Sequence, residues 1–478
     1  MKKKLQTAFA LIFGFIICFG ISGFTQDHAL LTRVAGSWSG ALKVQGIELT
    51  LVFNISLNDH DSITVTIDSP DQGAKGLSTS SVVITKDSLI VKSKALKGSF
   101  RGAFNADLSL ATGTWKQSGM TFPLEMKHLE KKFSRSRPQE PQPPFPYKES
   151  EVIFKNHDAG NSLAGTLTMP GDNGNWPAAI LITGSGPQNR DEELLGHKPF
   201  LVLSDYLARH GIAVLRYDDR GIGKSNGDFK SATTADFATD VSAAIDFLKT
   251  QKGIDTMHIG LIGHSEGGMI APMVASKRKD VGFIVLMAGP GITGEQILVL
   301  QSALLAKADS ASEKDIARVK KLNGEVYAIL KKYPDNDVAA EKIRKVIHDY
   351  NSKLPAGKNE DRLSDKDIDV QIESVTSPWF RYFLTCNPAD YLTKVKCPLL
   401  ALNGSLDMQV PPKENLQAIE KAMIFGGNSH YAVEEIPGVN HLFQTAKTGA
   451  PSEYSRIEET IAPAVLEKIA NWILQAVK

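Results

Sequence analysis

From Glu151 to the C-terminus, short apolar runs alternate with amphipathic stretches. The runs Ala178 to Thr183, Ala213 to Tyr217, His258 to Ile262, Phe283 to Ala288, Cys397 to Gly404 and Tyr431 to Ile436 read as buried strands. Between them Phe200 to His210, Ala235 to Thr250, Glu414 to Ile424 and Ile457 to Val477 carry a helical period. Strand and helix in alternation predict a parallel sheet covered on both faces. Glu151 to Phe154 and Leu163 to Met169 read as antiparallel opening strands. Between Gly294 and Phe383 the alternation stops. Gln296 to Ala308, Glu313 to Tyr333, Val338 to Tyr350 and Asp367 to Ser374 are predicted helices, a cap over residues 294–385 inserted after the sixth strand. Charged runs there, such as Lys342-Ile343-Arg344-Lys345, fit a solvated face.

The first part of the chain has a different period. Leu49 to Ile55, Ile63 to Ile67, Ser81 to Thr85, Ser88 to Lys92, Ser99 to Asn105, Leu108 to Trp115 and Thr121 to Met126 read as strands. Asn58-Asp59, Pro70-Asp71 and Lys86-Asp87 separate them as turns. Gly36-Ser37-Trp38-Ser39-Gly40 is similar to the opening of lipocalin-like barrels, so a small all-β barrel or meander is expected, with a structural or interaction role favoured over ligand binding. The proline-rich stretch Arg135 to Pro146 should be extended and stiff, either free or laid across the following domain. The expected organisation is a signal peptide at 1–26, a β domain at 27–130, a linker at 131–147 and the α/β domain at 148–478.

Composition adds compartment and excludes several classes. The 478 residues are 42% hydrophobic, enough for two cores. Met1-Lys2-Lys3-Lys4 followed by an apolar run from Ala8 to Phe24 is the charged-then-apolar pattern of an export signal, with no span expected after cleavage. Loss of the three lysines takes the net charge from +1 to −2, which gives no reason to expect nucleic acid. Only Cys386 and Cys397 lie beyond that leader, without metal-ligand spacing, so neither a disulfide scaffold nor a zinc site is expected. No cofactor or metal is implied. A homo-oligomer is left open.

The chemistry begins at Gly263-His264-Ser265-Glu266-Gly267, a Gly-x-Ser-x-Gly between a strand and a helix. That context predicts a sharp turn with Ser265 at its tip as nucleophile. A serine needs a base and the base an orienting acid. Asp407 follows the strand ending at Gly404, and His441 follows the strand ending at Ile436. Each candidate thus stands past the carboxyl end of a strand, where an open α/β sheet builds its site. Asp390 and Glu434 are rival acids, less well placed before or inside a strand. Gly184-Ser185-Gly186, after another strand, offers backbone N–H groups for an oxyanion, Ser185 first and Gly186 second, together with the N–H of Glu266. Trp379, Phe380 and Phe383 are candidates for an apolar substrate pocket, or for cap core. Two likenesses mislead. Gly221-Ile222-Gly223-Lys224-Ser225 ends like a phosphate loop but has Asp218 where a glycine is required, and Arg220 and Asp219 read better as loop braces. Gly289 to Gly294 fits Gly-x-Gly-x-x-Gly but opens no first βαβ unit.

Four passages together resemble a known family: Thr183 to Asp191, Arg216 to Ser225, Gly263 to Gly268, and Ser377 to Phe383. From about Pro146 onward the chain resembles the α/β-hydrolases, and within them bacterial carboxylesterases of the serine-aminopeptidase-like group with an extra N-terminal β domain. The resemblance implies a doubly wound sheet with a helical cap, a triad of Ser265, Asp407 and His441, and a small-molecule ester as substrate. An exopeptidase with the same triad is the alternative. A ligand-binding protein with a silent hydrolase domain is the alternative of another class.

Overall fold

The computed structural model describes residues 28–44, 47–57, 63–117, 119–133, 135–355 and 362–478. The leader read at 1–26 lies outside them. The chain divides into two compact units: one runs to Ser69 and resumes from Ala74 to Phe133, and the other holds Pro70–Gly73 with Ser134–Lys478.

In the first unit a short helix, α1 (His28–Val34), precedes the strands β1 (Gly36–Val44), β2 (Ile47–Leu57), β3 (Ile63–Ser69), β4 (Ala74–Ser78), β5 (Ser81–Ile84), β6 (Ser88–Ser93), β7 (Gly98–Phe104), β8 (Leu110–Gln117) and β9 (Met120–Leu129). They form one antiparallel sheet in the order β4-β3-β2-β1-β9-β8-β7-β6-β5. Its two edges, β4 and β5, are consecutive in sequence and joined only by Thr79 and Ser80. The sheet must therefore curl until its edges approach. Ser80 N–H donates to Lys92 O at 2.7 Å and Ser93 Oγ to Ser78 O at 3.0 Å, which brings them together. This is a meander rolled into a barrel. Trp38, Phe53, Phe100 and Trp115 fill its core, as expected where inward residues alternate with outward ones. Helix α1 was not foreseen. Leu31 and Val34 are buried in that same core, and Trp38 Nε1 donates to Val34 O at 2.9 Å. Strand β4 was also missed, because Ala74-Lys75-Gly76 carries no β signal.

The second unit is built on β10 (Lys148–Asn156), β11 (Asn161–Met169), β12 (Trp176–Ile182), β13 (Ala213–Tyr217), β14 (Ile254–His264), β15 (Ile284–Met287), β16 (Leu399–Gly404) and β17 (Tyr431–Ile436). Their order is β10-β11-β13-β12-β14-β15-β16-β17, with β10 and β11 antiparallel and the rest parallel. The chain steps outward from β12 to β13, then returns to the other side of β12 for β14. That reversal is the switch point at which such sheets leave a crevice. Strands β13 and β15 are buried at every residue, as strands sandwiched between helices must be. One face is covered by α3 (Thr234–Leu248), α4 (Gly267–Ala275) and α11 (Pro412–Phe425), the other by α2 (Pro199–Arg209) and α13 (Pro463–Ala476). Helix α13 begins at Pro463 rather than near Ile457; a proline with no N–H to donate fits the first turn.

The cap follows β15, the sixth strand of this unit, as predicted. It comprises α5 (Gly294–Ala308), α6 (Glu313–Lys332), α7 (Asn336–Ser352), α8 (Asp365–Val375) and α9 (Pro378–Thr385). Each start has a side-chain cap: Thr293, Ser312, Asp335, Ser364 and Ser377 all accept a backbone N–H of the first turn. Each such bond contributes about 1 kcal/mol. The cap has its own core of Tyr327, Leu330, Ile343, Ile347, Ile368 and Phe380, among others.

The proline-rich stretch does not hang free of the α/β unit. Arg137 donates to the backbone carbonyls of Gly196, Ser455 and Ile457 at 3.1, 2.9 and 2.9 Å. Gln139 Nε2 donates to Ile461 O at 2.7 Å, and its Oε1 accepts from Ile461 N at 3.1 Å. Arg137→Ala should therefore destabilise the α/β unit by roughly 2–3 kcal/mol, since several half-buried carbonyls lose a charged donor. Urea unfolding followed by near-ultraviolet circular dichroism checks this, and an unchanged midpoint would contradict it.

Candidate active site

Strand β14 delivers the chain to Ser265 in a sharp turn. Ser265 has φ +52°, a left-handed conformation that costs a side-chain-bearing residue roughly 1–2 kcal/mol. Two backbone bonds hold it there: Ser265 N–H to Met287 O at 2.8 Å and Gly268 N–H to Ser265 O at 2.9 Å. The turn brings Gly263 against Gly267. A Cβ on Gly263 would stand 2.0 Å from Gly267 O, so no other residue fits. Gly404, at the end of β16, is similarly pressed: a Cβ there would meet Val439 O at 2.3 Å. That approach sets the turn carrying Asp407 beside the loop carrying His441.

Ser265 and His441 line one cavity of about 220 Å³, with Asp407 behind His441. His441 Nδ1 donates to Asp407 Oδ2 at 2.8 Å, and both side chains are almost fully buried. Asp407 Oδ1 accepts two further bonds, from Gln409 N at 2.8 Å and Val410 N at 2.9 Å. With Nδ1 committed as a donor, the neutral ring leaves Nε2 as the acceptor. Asn440 folds the histidine loop: its Oδ1 accepts from Leu442 N and Gln444 N, each at 3.0 Å. The rival acids lie elsewhere. Asp390 sits exposed in α10 (Ala389–Leu392), bonded to Asn387, and Glu434 pairs with Lys468.

Ser185 lines the cavity beside Gly184. Gly186 does not, so of the two candidates in that loop only Ser185 faces the site. Glu266 also lines it, buried to 2% exposure. Its Oε1 accepts from Thr234 Oγ1 at 2.7 Å and Trp379 Nε1 at 2.8 Å. Burial raises the pKa of Glu266, while the bonds from Thr234, Trp379 and Ser185 oppose the rise. Trp379 and Phe383 stack at 5.2 Å and line the cavity. Phe380 does not. It packs instead into the cap core, 6.0 Å from the Tyr327 ring, being one position on from Trp379 and so turned off that residue's face of the helix. Ile297, Leu298 and Leu442 add to the apolar lining, as do Leu194, Pro290 and Val410, and Gln188, Gln301 and Gln409 supply amides.

The loops around the site are braced by charge. Asp219 accepts from Thr183 Oγ1 at 2.8 Å and Gln188 N at 2.9 Å, and burial pushes its pKa up to about 8. Arg220 reaches Asp240 at 2.7 Å. Arg190 grips Asp218 through both carboxylate oxygens, and Asp218 in turn accepts from Lys224 N at 3.1 Å. The phosphate-loop look-alike is thus tied to its own acid. The Gly289–Gly294 look-alike packs on helices instead: Gly289 meets Gly268, and Gly291 N–H donates to Asn415 Oδ1 at 2.8 Å.

Sequence reasoning missed Glu192 and His264, both buried in the lining. His264 stands inside the Gly-x-Ser-x-Gly pentapeptide, but its partner is 72 residues away. Only the histidine itself, at the end of an apolar strand, was a signal.

Residues 199–353 match the family described as serine aminopeptidase, S33. The chain is similar to esterase EstD of Thermotoga maritima, 24% identical over 330 residues, 69% of each chain. It is also 25% identical over 203 residues to a proline iminopeptidase of Lactobacillus delbrueckii, 41% of this chain and 60% of the relative. Among solved structures, the α/β-hydrolase GrgF of a Penicillium species matches 69% of this chain and 99% of its own at 17% identity and TM-score 0.43. An esterase of Pyrococcus furiosus matches 70% and 92% at 17% identity and TM-score 0.41. The second unit is a doubly wound α/β sheet preceded by an all-β unit, and the chain resembles the serine-aminopeptidase-like group of α/β-hydrolases.

Gly263→Ala should abolish soluble, correctly folded protein or leave it unable to present Ser265. Expression in the soluble fraction and the near-ultraviolet spectrum report this; a well-folded variant labelled by a fluorophosphonate at the normal rate would contradict the packing.

Proposed function

We propose that this α/β-hydrolase is a carboxylesterase-type serine hydrolase that cleaves small esters through Ser265, His441 and Asp407. The observation that carries the reading is the buried His441–Asp407 bond at 2.8 Å beside the cavity that Ser265 also lines. In this mechanism His441 Nε2 takes the Ser265 proton as Oγ attacks the ester carbonyl. Asp407 holds the tautomer and stabilises the imidazolium that results. The tetrahedral oxyanion is held by the N–H groups of Ser185 and Glu266. Return of the proton to the alkoxide oxygen releases the alcohol. Water, deprotonated by His441, then frees the acid from Ser265.

The lining supports an ester over a free amino terminus. Among the described lining residues the carboxylates are Glu192 and Glu266, and both are already bonded to internal donors. An ammonium group would have to displace one of them. The cavity, at about 220 Å³, suits a small or slender acyl or alcohol group. Export is part of the proposal and rests on the charged-then-apolar leader at 1–26. Among the described residues no helix is long and apolar enough to cross a membrane.

Ser265→Ala should keep the fold and lose p-nitrophenyl ester hydrolysis and fluorophosphonate labelling. More than about a hundredth of the wild-type kcat remaining would exclude it as nucleophile, since removing a triad member ordinarily costs far more. A panel of p-nitrophenyl esters against aminoacyl-anilides distinguishes esterase from peptidase; turnover of the anilides alone would reverse the reading.

Asp407→Asn should lower kcat by about four orders of magnitude through the wrong tautomer of His441. Asp390→Asn and Glu434→Gln should change it less than about twofold, as surface substitutions without a partner in the site do. The reverse ranking in steady-state kinetics would refute the assignment of the acid.

A further inference from the structure

A second histidine–carboxylate pair lies next to Ser265, and the hydrolysis described above makes no use of it. Glu192 is delivered by a strained backbone, φ +51°, a conformation rarely adopted by a residue with a side chain. Its Oε1 accepts from Gly184 N–H at 2.7 Å, on the segment that carries Ser185. The same oxygen faces His264 Nδ1 at 2.9 Å. On the other side of the ring, His264 Nε2 lies 3.0 Å from the backbone carbonyl oxygen of His441. A carbonyl oxygen cannot donate, so Nε2 carries a proton. With the Glu192 carboxylate ionised, its Oε1 accepting from Gly184 N–H and from the ring, Nδ1 carries one as well.

Both groups are buried, and a buried charge persists only when paired and bonded. Each is. The other charged or titratable groups near the ring are Asp407 and the His441 ring, whose centroid is 4.9 Å away, with Asp219 and Glu266 farther off around Glu192. Of these, Asp407 joins Glu192 in favouring the proton on the ring. Burial works against the charge on His264, but Glu192, the His441 carbonyl and Asp407 together offset it, and the pKa of His264 is raised. His197 shows the opposite case. Its ring faces the Thr460 hydroxyl and the Tyr454 carbonyl, and burial, helped by Arg137, lowers its pKa to about 4.

We propose that His264 is a permanent imidazolium ion at the pH of catalysis, and that the Glu192–His264 ion pair positions the hydrolytic site. The inference rests on the triad reading above. One end of the pair fixes the oxyanion segment through Gly184; the other fixes the loop of His441 through its carbonyl. The ring itself belongs to β14, the strand that presents Ser265. The three working parts, arriving from β12, β14 and the loop after β17, are thereby tied across the edge of the sheet by one charged bridge. Glu192 and His264 are positioning residues that touch no substrate.

The test is the protonation state itself, read on the full chain labelled with ¹⁵N-histidine. Long-range ¹H–¹⁵N spectra at pH 8 should show one ring with both nitrogens protonated, and His264→Gln should remove that signal. Wild-type spectra containing only neutral rings would overturn the proposal, and so would an imidazolium signal that survives in His264→Gln. For the positioning role, Glu192→Gln retains a carbonyl oxygen for Gly184 but removes the charge. It should lose the imidazolium signal and lower kcat about 10- to 100-fold, the cost of a small misplacement, with KM changed less than about threefold. Glu192→Asp, a milder change if the amide variant does not fold, should keep the imidazolium signal yet lower kcat, because the shorter side chain cannot span both partners. Wild-type kcat in either folded variant would refute positioning. Full activity in Ser265→Ala would refute the triad while leaving the imidazolium signal intact, so the two failures are distinguishable.

Discussion

The site depends first on one steric constraint: the contact of Gly263 with Gly267 across the turn at Ser265. With Cβ atoms excluded from both positions, β14 can run into α4 with only Ser265 and Glu266 between them. The cost is a left-handed serine backbone. What compensates is the burial of α4 on every side, from Gly267 to Ala275, and the hydrogen bond from Ser265 N–H to β15. A helix apolar all round can only be a core element, so the strained turn is clamped between the sheet and its own helix. The half-buried Ser265 is raised at the tip while Glu266, next in sequence, is buried and lines the same cavity.

Much of this was legible in the sequence for definable reasons. Parallel strands buried on both faces are continuous apolar runs, so β12 to β16 stood out. The helical cap was legible from its break in alternation, without the N-cap residues at its helix starts, such as Ser312 and Ser364. Serine, acid and histidine could be ordered because each follows a strand, and the turn geometry does the rest. What could not be read were features set by tertiary contact. Helix α1 is too short to stand out and is held by Leu31 and Val34 in the barrel core. Phe380 and Phe383 look alike in sequence; only the roll of α9 decides that one enters the cap core and the other the cavity. Glu192 lies just beyond a glycine-rich segment, and nothing local tells that its side chain crosses to His264.

Charged residues in this unit do different work from the apolar core. Arg190, Arg216 and Arg220 hold the loops that follow β12 and β13 through Asp218, Asp191 and Asp240. Buried pairs of this kind contribute little net stability, because desolvation offsets most of the attraction. Losing one partner is costly, however, and that asymmetry restricts the loops to one arrangement. The apolar sheet fixes where the strand ends lie; the ion pairs fix where the connecting loops place Ser185 and Gln188.

The same loops pose an electrostatic problem for the chemistry proposed. An oxyanion has to form within reach of Ser185 and Glu266, in a region that holds the carboxyls of Glu192, Asp219 and Glu266. Three ionised acids there would raise the barrier that the N–H donors lower. Two features relieve this. Burial raises the pKa of both Asp219, to about 8, and Glu266, so the charge near the oxyanion is less than the count of acids suggests. Glu192, in turn, faces a histidine whose two nitrogens both point at acceptors, and a cation there cancels its field at short range. The acids remain because each is a multiple acceptor: Asp219 for Thr183 and Gln188, Glu192 for Gly184 and His264, Glu266 for Thr234 and Trp379. They organise the donors of the site, and their own charge is suppressed by burial in two cases and by a neighbouring ring in the third.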